Sequence, residues 1–199
     1  KVVLLGLREY GASELVREAA AAEPLAFVQT VVPYLRRVMA ATAYEPRPDD
    51  PIRDRHFCAR FEVDELDDRD LDDALFAGAV HALEALARTA PGEVRPLLEE
   101  LAEDPHDAAH FLLYRALTAG EATFAEWAAT LLLEGGARLD CGYVADSDWA
   151  ARELVKAIAP HLPVDVHRQL EDLFRDLRNA YESRYSFGRS AFTFMSALE

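Results

Sequence analysis

Cysteine is scarce. Cys58 and Cys141 are the two in 199 residues, with neither C-x-x-C spacing nor a paired pattern, which excludes a disulfide framework and a thiolate zinc cluster and points to a reducing, cytoplasmic setting. Basic residues are also short, 21 against 36 acidic ones, leaving a formal charge of −15 that repels a phosphate backbone and an anionic membrane surface. Neither nucleic acid nor membrane is therefore expected as a partner. No apolar run reaches the ~20 residues needed to cross a bilayer, and the opening KVVLLGLREYG lacks the cleavage site of a secretory signal. Also missing are G-x-x-x-x-G-K-[ST], G-x-G-x-x-G and G-x-S-x-G: Gly6, Gly11 and Gly78 stand alone, and Ser147 and Ser190 have no neighbouring His and acid. No cofactor is expected. An initiator methionine is absent as well, Lys1 being the first residue, as expected of an excerpt from a longer protein.

What is present is alanine, leucine and helical spacing. A content of 51% hydrophobic and 29% charged residues suits a soluble globular chain, expected to form one domain over residues 1–199. Leu75, Ala79, Ala82, Leu83 and Leu86 recur at i, i+4, i+7, i+8 and i+11, the period of one helix face. The expected fold is all-α.

One pattern returns along the chain: EPLAFVQTVVPYL at 23–35, APGEVRPLLEEL at 90–101, GEATFAEWAATLLL at 120–133 and LPVDVHRQLEDLF at 162–174. Aligning Phe27, Val94, Phe124 and Val166 puts Pro24, Pro91, Glu121 and Pro163 three residues earlier, where proline suits a first helical turn because its missing N–H has no intrahelical partner anyway. Tyr34, Leu101, Leu131 and Leu173 follow seven residues later, and each unit follows another helix, expected at 14–22, 71–90, 105–118 and 147–160. This spacing predicts an α-solenoid-like array of about four antiparallel helix pairs of the HEAT, armadillo or tetratricopeptide kind. The anchors lie 67, 30 and 42 residues apart, so an irregular helical bundle is the alternative.

Two breaks interrupt the array. The charged connection at 44–70 is expected to pack its apolar residues, Ile52, Phe57, Phe61, Val63 and Leu66, onto the helices, with Cys58 as a packed thiol. The second, EGGARLDCGYVADSD at 134–148, is expected to end one helix at Gly135 and Gly136 and to cap the next with Asp146 or Ser147.

The stretch DPHDAAHFLLY at 104–114 carries the main candidate for chemistry. His106 and His110 are i and i+4, as in the H-E-x-x-H helix of zinc hydrolases, with Asp107 in place of the glutamate that polarises water. A His-Asp doublet also suits the HD class of phosphohydrolases, with His81 upstream and Asp140, Asp146 or Asp148 downstream. A metal-dependent helical hydrolase using His106, Asp107 and His110 is thus the alternative function. Against it, Asp104 reads as an N-cap and Pro105 as the first helical residue, leaving both histidines at a helix edge without a metal.

The leading reading is a non-enzymatic surface that binds a protein partner or neighbouring domains of the same chain. The terminal stretch RNAYESRYSFGRSAFTFMSALE is dense in Arg and aromatics, the types enriched at interface hot spots, while Phe192, Met195 and Leu198 are expected to cap the last repeat. Tyr143, Trp149, Arg184 and Tyr185 are the candidate contact residues, with burial against the preceding helix the competing expectation for Trp149.

FVQTVVPYLRRVM, RLDCGYVADSDWAARELVKAIAPHLP and FGRSAFTFMSAL together resemble the helical-repeat region of large bacterial proteins that also carry a P-loop NTPase of the STAND or NACHT kind, associated with conflict systems such as phage defence. The resemblance implies a HEAT-like sensor or scaffold, with nucleotide hydrolysis and any effector elsewhere. It assigns no functional residue here.

Overall fold

A computed structural model describes residues 12–45, 51–57, 71–142, 146–177 and 188–199. The fold is all-α among the described residues, with two isolated β-bridges and no strand. Its helices are α1 (Ala12–Ala22), α2 (Pro24–Thr42), α3 (Leu71–Thr89), α4 (Pro91–Glu103), α5 (Asp107–Gly120), α6 (Ala125–Leu133), the short α7 (Gly136–Leu139), α8 (Trp149–Ile158), α9 (Val164–Arg175) and α10 (Arg189–Leu198). Single 3-10 turns lead into α6 and out of α8. No described helix is long and apolar enough to cross a membrane.

Proline starts several of these helices without a side-chain cap. Pro24 and Pro91 occupy the first position of α2 and α4, and Pro163 immediately precedes α9. Asp72 and Asp73 stand in the first turn of α3, where the helix dipole favours negative charge. Along the chain α1 lies on α3, α3 on α5 and α5 on α8, with α10 next. The helices between them pack likewise, α2 on α3, α4 on α5, α6 on α8 and α9 on α10. An aromatic file crosses this row, Phe57 to Phe76 at 4.8 Å, Phe76 to Phe111 at 6.0 Å and Phe111 to Trp149 at 6.2 Å.

Phe27, Val94, Phe124 and Val166 all stand at the start of a helix and are in or against the core. Two of them lie against a glycine. A Cβ on Gly78 would come within 2.9 Å of the Phe27 ring, and one on Gly120 within about 2.4 Å of the Phe124 ring, so an alanine at either place would displace the aromatic. Phe57 is fully buried as expected of the 44–70 connection; Cys58, Phe61, Val63 and Leu66 lie outside the described residues.

Three local expectations are corrected. First, α5 begins at Asp107 with His106 as its N-cap, not at Pro105 with Asp104. Asp104 ends α4 instead, its N–H on the Leu101 carbonyl 3.3 Å away, and it is held extended by the proline that follows. Second, α8 is preceded by Asp148 as N-cap, not by Asp146 or Ser147, and the Cys141 carbonyl accepts the N–H groups of Ala150 at 2.9 Å and Ala151 at 3.2 Å. Third, Phe192 does not cap the array; it is 71% exposed. Phe194 and Leu198 take the inward face of α10, with Phe194 stacked on Phe174 at 4.9 Å, and Phe192, two residues from Phe194, points the other way.

Candidate functional site

The DPHDAAHFLLY stretch forms a buried polar junction at the start of α5. Residues 51–57 run across it as a strap: the Ile52 N–H donates to the Pro105 carbonyl at 2.9 Å, and the Asp107 N–H donates to the Ile52 carbonyl at 3.0 Å. At its other edge the Tyr44 N–H donates to the Arg53 carbonyl at 2.8 Å and the Arg55 N–H to that of Thr42 at 2.9 Å, tying the end of α2 to the start of α5. Asp54 is fully buried and turns the strap back, its Oδ1 accepting the N–H groups of His56 at 2.7 Å and Phe57 at 2.6 Å.

Both histidines of the candidate metal motif are buried, His106 at 9% exposure and His110 at 4%. The His106 Nδ1–H donates to Asp104 Oδ1 at 2.7 Å, while Arg36 Nε donates to Oδ2 at 2.6 Å. Burial pushes the Asp104 carboxyl up, but the bonds from His106 and Arg36 outweigh it and hold the group at about 2. His110 is committed to a different cation. Arg138 Nη1 donates to His110 Nε2 at 2.8 Å, and since a guanidinium cannot accept, Nε2 is unprotonated and the proton resides on Nδ1. That Nδ1 has no partner of good geometry. Burial, then the Arg138 charge, pushes His110 down to about 4, so the ring is neutral.

Asp107 is the carboxylate between them. Its Oδ1 is buried without a partner, and Arg53 Nε stands 3.8 Å from Oδ2 while Arg53 Nη2 bonds Asp140 at 2.7 Å. Burial, then the charge of Asp54, pushes Asp107 up to about 7, and the half-exposed Arg53 does not offset them. Cys141 is also enclosed here, its Sγ 3.8 Å from the Asp107 carbonyl, and burial pushes its thiol well up from the usual range. His110 Nε2 therefore faces Arg138 and is taken, whereas on His106 it is Nδ1 that Asp104 engages. Among the described residues no group of three or more His, Cys, Asp or Glu side chains is arranged to hold a metal ion.

The HD arrangement is not assembled either. His81 lies on the exposed side of α3 with its Nδ1 4.0 Å from Glu84, whereas His106 and Asp107 are buried. Asp140 pairs with Arg53, and Asp146 and Asp148 share Arg152. Burial, then the neighbouring Asp146, pushes Asp148 up to about 6.

A groove of about 310 Å³ opens between α3, α5 and α8. Arg115 crosses it, Nε and Nη2 each 2.7 Å from Glu84 Oε1, with its guanidinium 5.8 Å from the centre of the Trp149 ring. Trp149, expected as an exposed contact, is half-buried: one neighbour is Phe111 and the other Arg115. Tyr114 lines the groove and donates its hydroxyl to the Arg138 carbonyl at 2.8 Å, linking groove and junction through α5. At the lip is Glu121, whose φ of 39° and ψ of −115° are strained for any residue but glycine. Tyr143, Arg184 and Tyr185 lie outside the described residues.

Arg138, Asp54, Arg115 and Glu84 have no local sequence signal. Arg138 sits in EGGARLD as an ordinary loop arginine, and Arg115 meets Glu84 across 31 residues because α3 and α5 are neighbours. No family model, curated protein or solved structure matches the chain.

Proposed function

We propose that the chain is an α-solenoid of four helix pairs, HEAT-like in plan, that works as a non-enzymatic interaction scaffold or sensor within a larger bacterial protein. The observation that carries the reading is the packing order: every extensive contact among the described helices joins members of one pair or of adjacent pairs. An array held together by neighbours offers an extended surface, and the recurring proline-led second helices rebuild the same face along it. A place beside a P-loop NTPase, in the cytoplasm, rests on the sequence resemblance alone and belongs to the same proposal. The charge of −15 favours a protein partner over nucleic acid.

The test is retention of a host protein by the intact chain, followed by crosslinking to locate it. Crosslinks along consecutive helix pairs support the scaffold. Binding to a DNA or RNA oligomer at physiological salt, or stoichiometric zinc, manganese or iron that is lost in His110→Ala together with a hydrolytic activity, overturns it.

A further inference from the structure

We infer that residues 51–57 form a pH-sensitive latch: the strap lies closed on the start of α5 while Asp107 keeps its proton, and parts from α5 when that proton leaves. The inference concerns a movement within one junction and stands apart from the scaffold reading.

Two carboxylates and a missing donor carry it. Asp54 on the strap and Asp107 on α5 are both buried, and each has one oxygen, Asp54 Oδ2 and Asp107 Oδ1, without a partner. Ionised carboxylates only accept, so a proton on one of them supplies the donor that the junction lacks. The bonds that close the strap on α5 are made at the same place, the Ile52 N–H on the Pro105 carbonyl and the Asp107 N–H on that of Ile52. Repulsion within the pair therefore acts on those two bonds directly. The other charged and titratable groups around Asp107 are committed elsewhere. Arg53 is divided between Asp140 at 2.7 Å and Asp107 at 3.8 Å, and Arg55 lies over the Tyr44 ring. His106 Nδ1 engages Asp104, His110 Nε2 engages Arg138, and His110 Nδ1 makes no bond to either carboxylate. Burial keeps the Cys141 thiol neutral.

The rest of the strap has anchors that the pair does not touch. Tyr44 and Arg55 donate their N–H groups across to Arg53 and Thr42, and Phe57 is stacked on Phe76 at 4.8 Å. The strap thus stays with the end of α2, and water reaches the two carboxyls when it parts from α5. In the closed form burial and the charge of Asp54 hold Asp107 at about 7; in the open form hydration returns it toward the ordinary carboxylate range. A raised value in the closed form favours closure at low pH and loses that advantage as pH rises through 7. His110 keeps Arg138 in both forms, so its own titration does not enter. His56, 3.1 Å from Asp72, is the other titratable group on the strap and needs a control.

The experiment is amide hydrogen exchange on the intact ¹⁵N-labelled chain from pH 5 to 8, each rate corrected for its intrinsic pH dependence. Protection of the Ile52 and Asp107 amides is expected to fall roughly tenfold per pH unit up to 7 and then level off. The amides of Tyr44 and Arg55, and of Leu112 within α5, are expected to change far less. Asp107→Asn, which is isosteric and carries a permanent donor, is expected to abolish the fall at Ile52, whereas His56→Gln is expected to retain it. A flat wild-type profile at Ile52 and Asp107, an equal fall at Tyr44, Arg55 and Leu112, a fall that persists in Asp107→Asn, or one that vanishes in His56→Gln overturns the latch. Should Asp107→Asn not fold, the wild-type profiles and His56→Gln decide by the same outcomes.

Discussion

Helix α5 serves two polar regions that obey opposite rules. At its start, Asp104, His106, Asp107 and His110 are sealed from water, and polar atoms of Asp54, Asp107 and His110 are left without partners. Along its middle, Arg115 carries its charge into an open groove where Glu84 answers it directly. A buried charge must be matched by protein, because an unmet one costs several kcal/mol; an open one has water as well. The junction is therefore specialised for holding α2, α4, α5 and α7 together. The groove keeps its glutamates in contact with water. A motif that reads as chemistry thus lies in the region least accessible to substrate, and the accessible region has no motif.

The apolar core sets the scale for breaking either region. Phe124→Ala removes a buried ring seated on Gly120 and is expected to destabilise the chain by ~3–5 kcal/mol in urea unfolding. Next comes a matched pair of arginine replacements. Arg138→Met strands the Ala102 carbonyl, bonded at 2.7 Å, and His110 Nε2, and is expected to cost about 3 kcal/mol. Arg115→Met leaves Glu84 within reach of water and Arg88, and is expected to cost about 1 kcal/mol. Equal losses would erase the distinction between the two regions.

The junction also makes a signed prediction about pH. Asp107 is raised to about 7, so its contribution is fully present below the ordinary carboxylate range and is lost as pH rises through 7. His110 is depressed to about 4, so its contribution is present above 6.5 and is lost as pH falls through 4. Between 4 and 6.5 the two trends oppose and flatten the wild-type profile. Asp107→Asn removes one of them. The variant is expected to be more stable than wild type by roughly 1–3 kcal/mol at pH 8 and to lose stability steadily from pH 6.5 to 4, as read from midpoints of thermal or urea unfolding. A variant profile parallel to that of wild type would show that Asp107 titrates normally.

How much of this was legible in sequence depends on whether the signal is local. Helix positions followed from periodicity and from Pro24, Pro91 and Pro163, because a proline that suits a first turn says so without reference to the rest of the fold. Asp104 misled for the complementary reason. As a residue before a proline and a periodic run it has the composition of a cap, but Arg36, 68 residues earlier, and His106 take its oxygens. Phe192 misled because a 3-residue spacing to Met195 fits one helix face, while the face that is buried is set by Phe174 on another helix. The groove was out of reach altogether. Glu84, Arg115 and Trp149 come from three helices and meet through packing order, which no window along the chain contains.

The smallest expected effect concerns the strained backbone at Glu121. Glu121 follows α5 directly, its N–H bonded to the Leu117 carbonyl and its backbone in a region that favours glycine. Such a conformation costs on the order of 1–3 kcal/mol, and a glycine there recovers part of it while adding freedom to the unfolded chain. Glu121→Gly is therefore expected to stabilise the protein by about 1 kcal/mol, a rise of a few degrees in Tm at this length. The side chain makes no ion pair among the described residues. Greater stability would show that the strained backbone at Glu121 costs the fold more than its side chain returns, whereas lower stability would show that its carboxylate supports the fold.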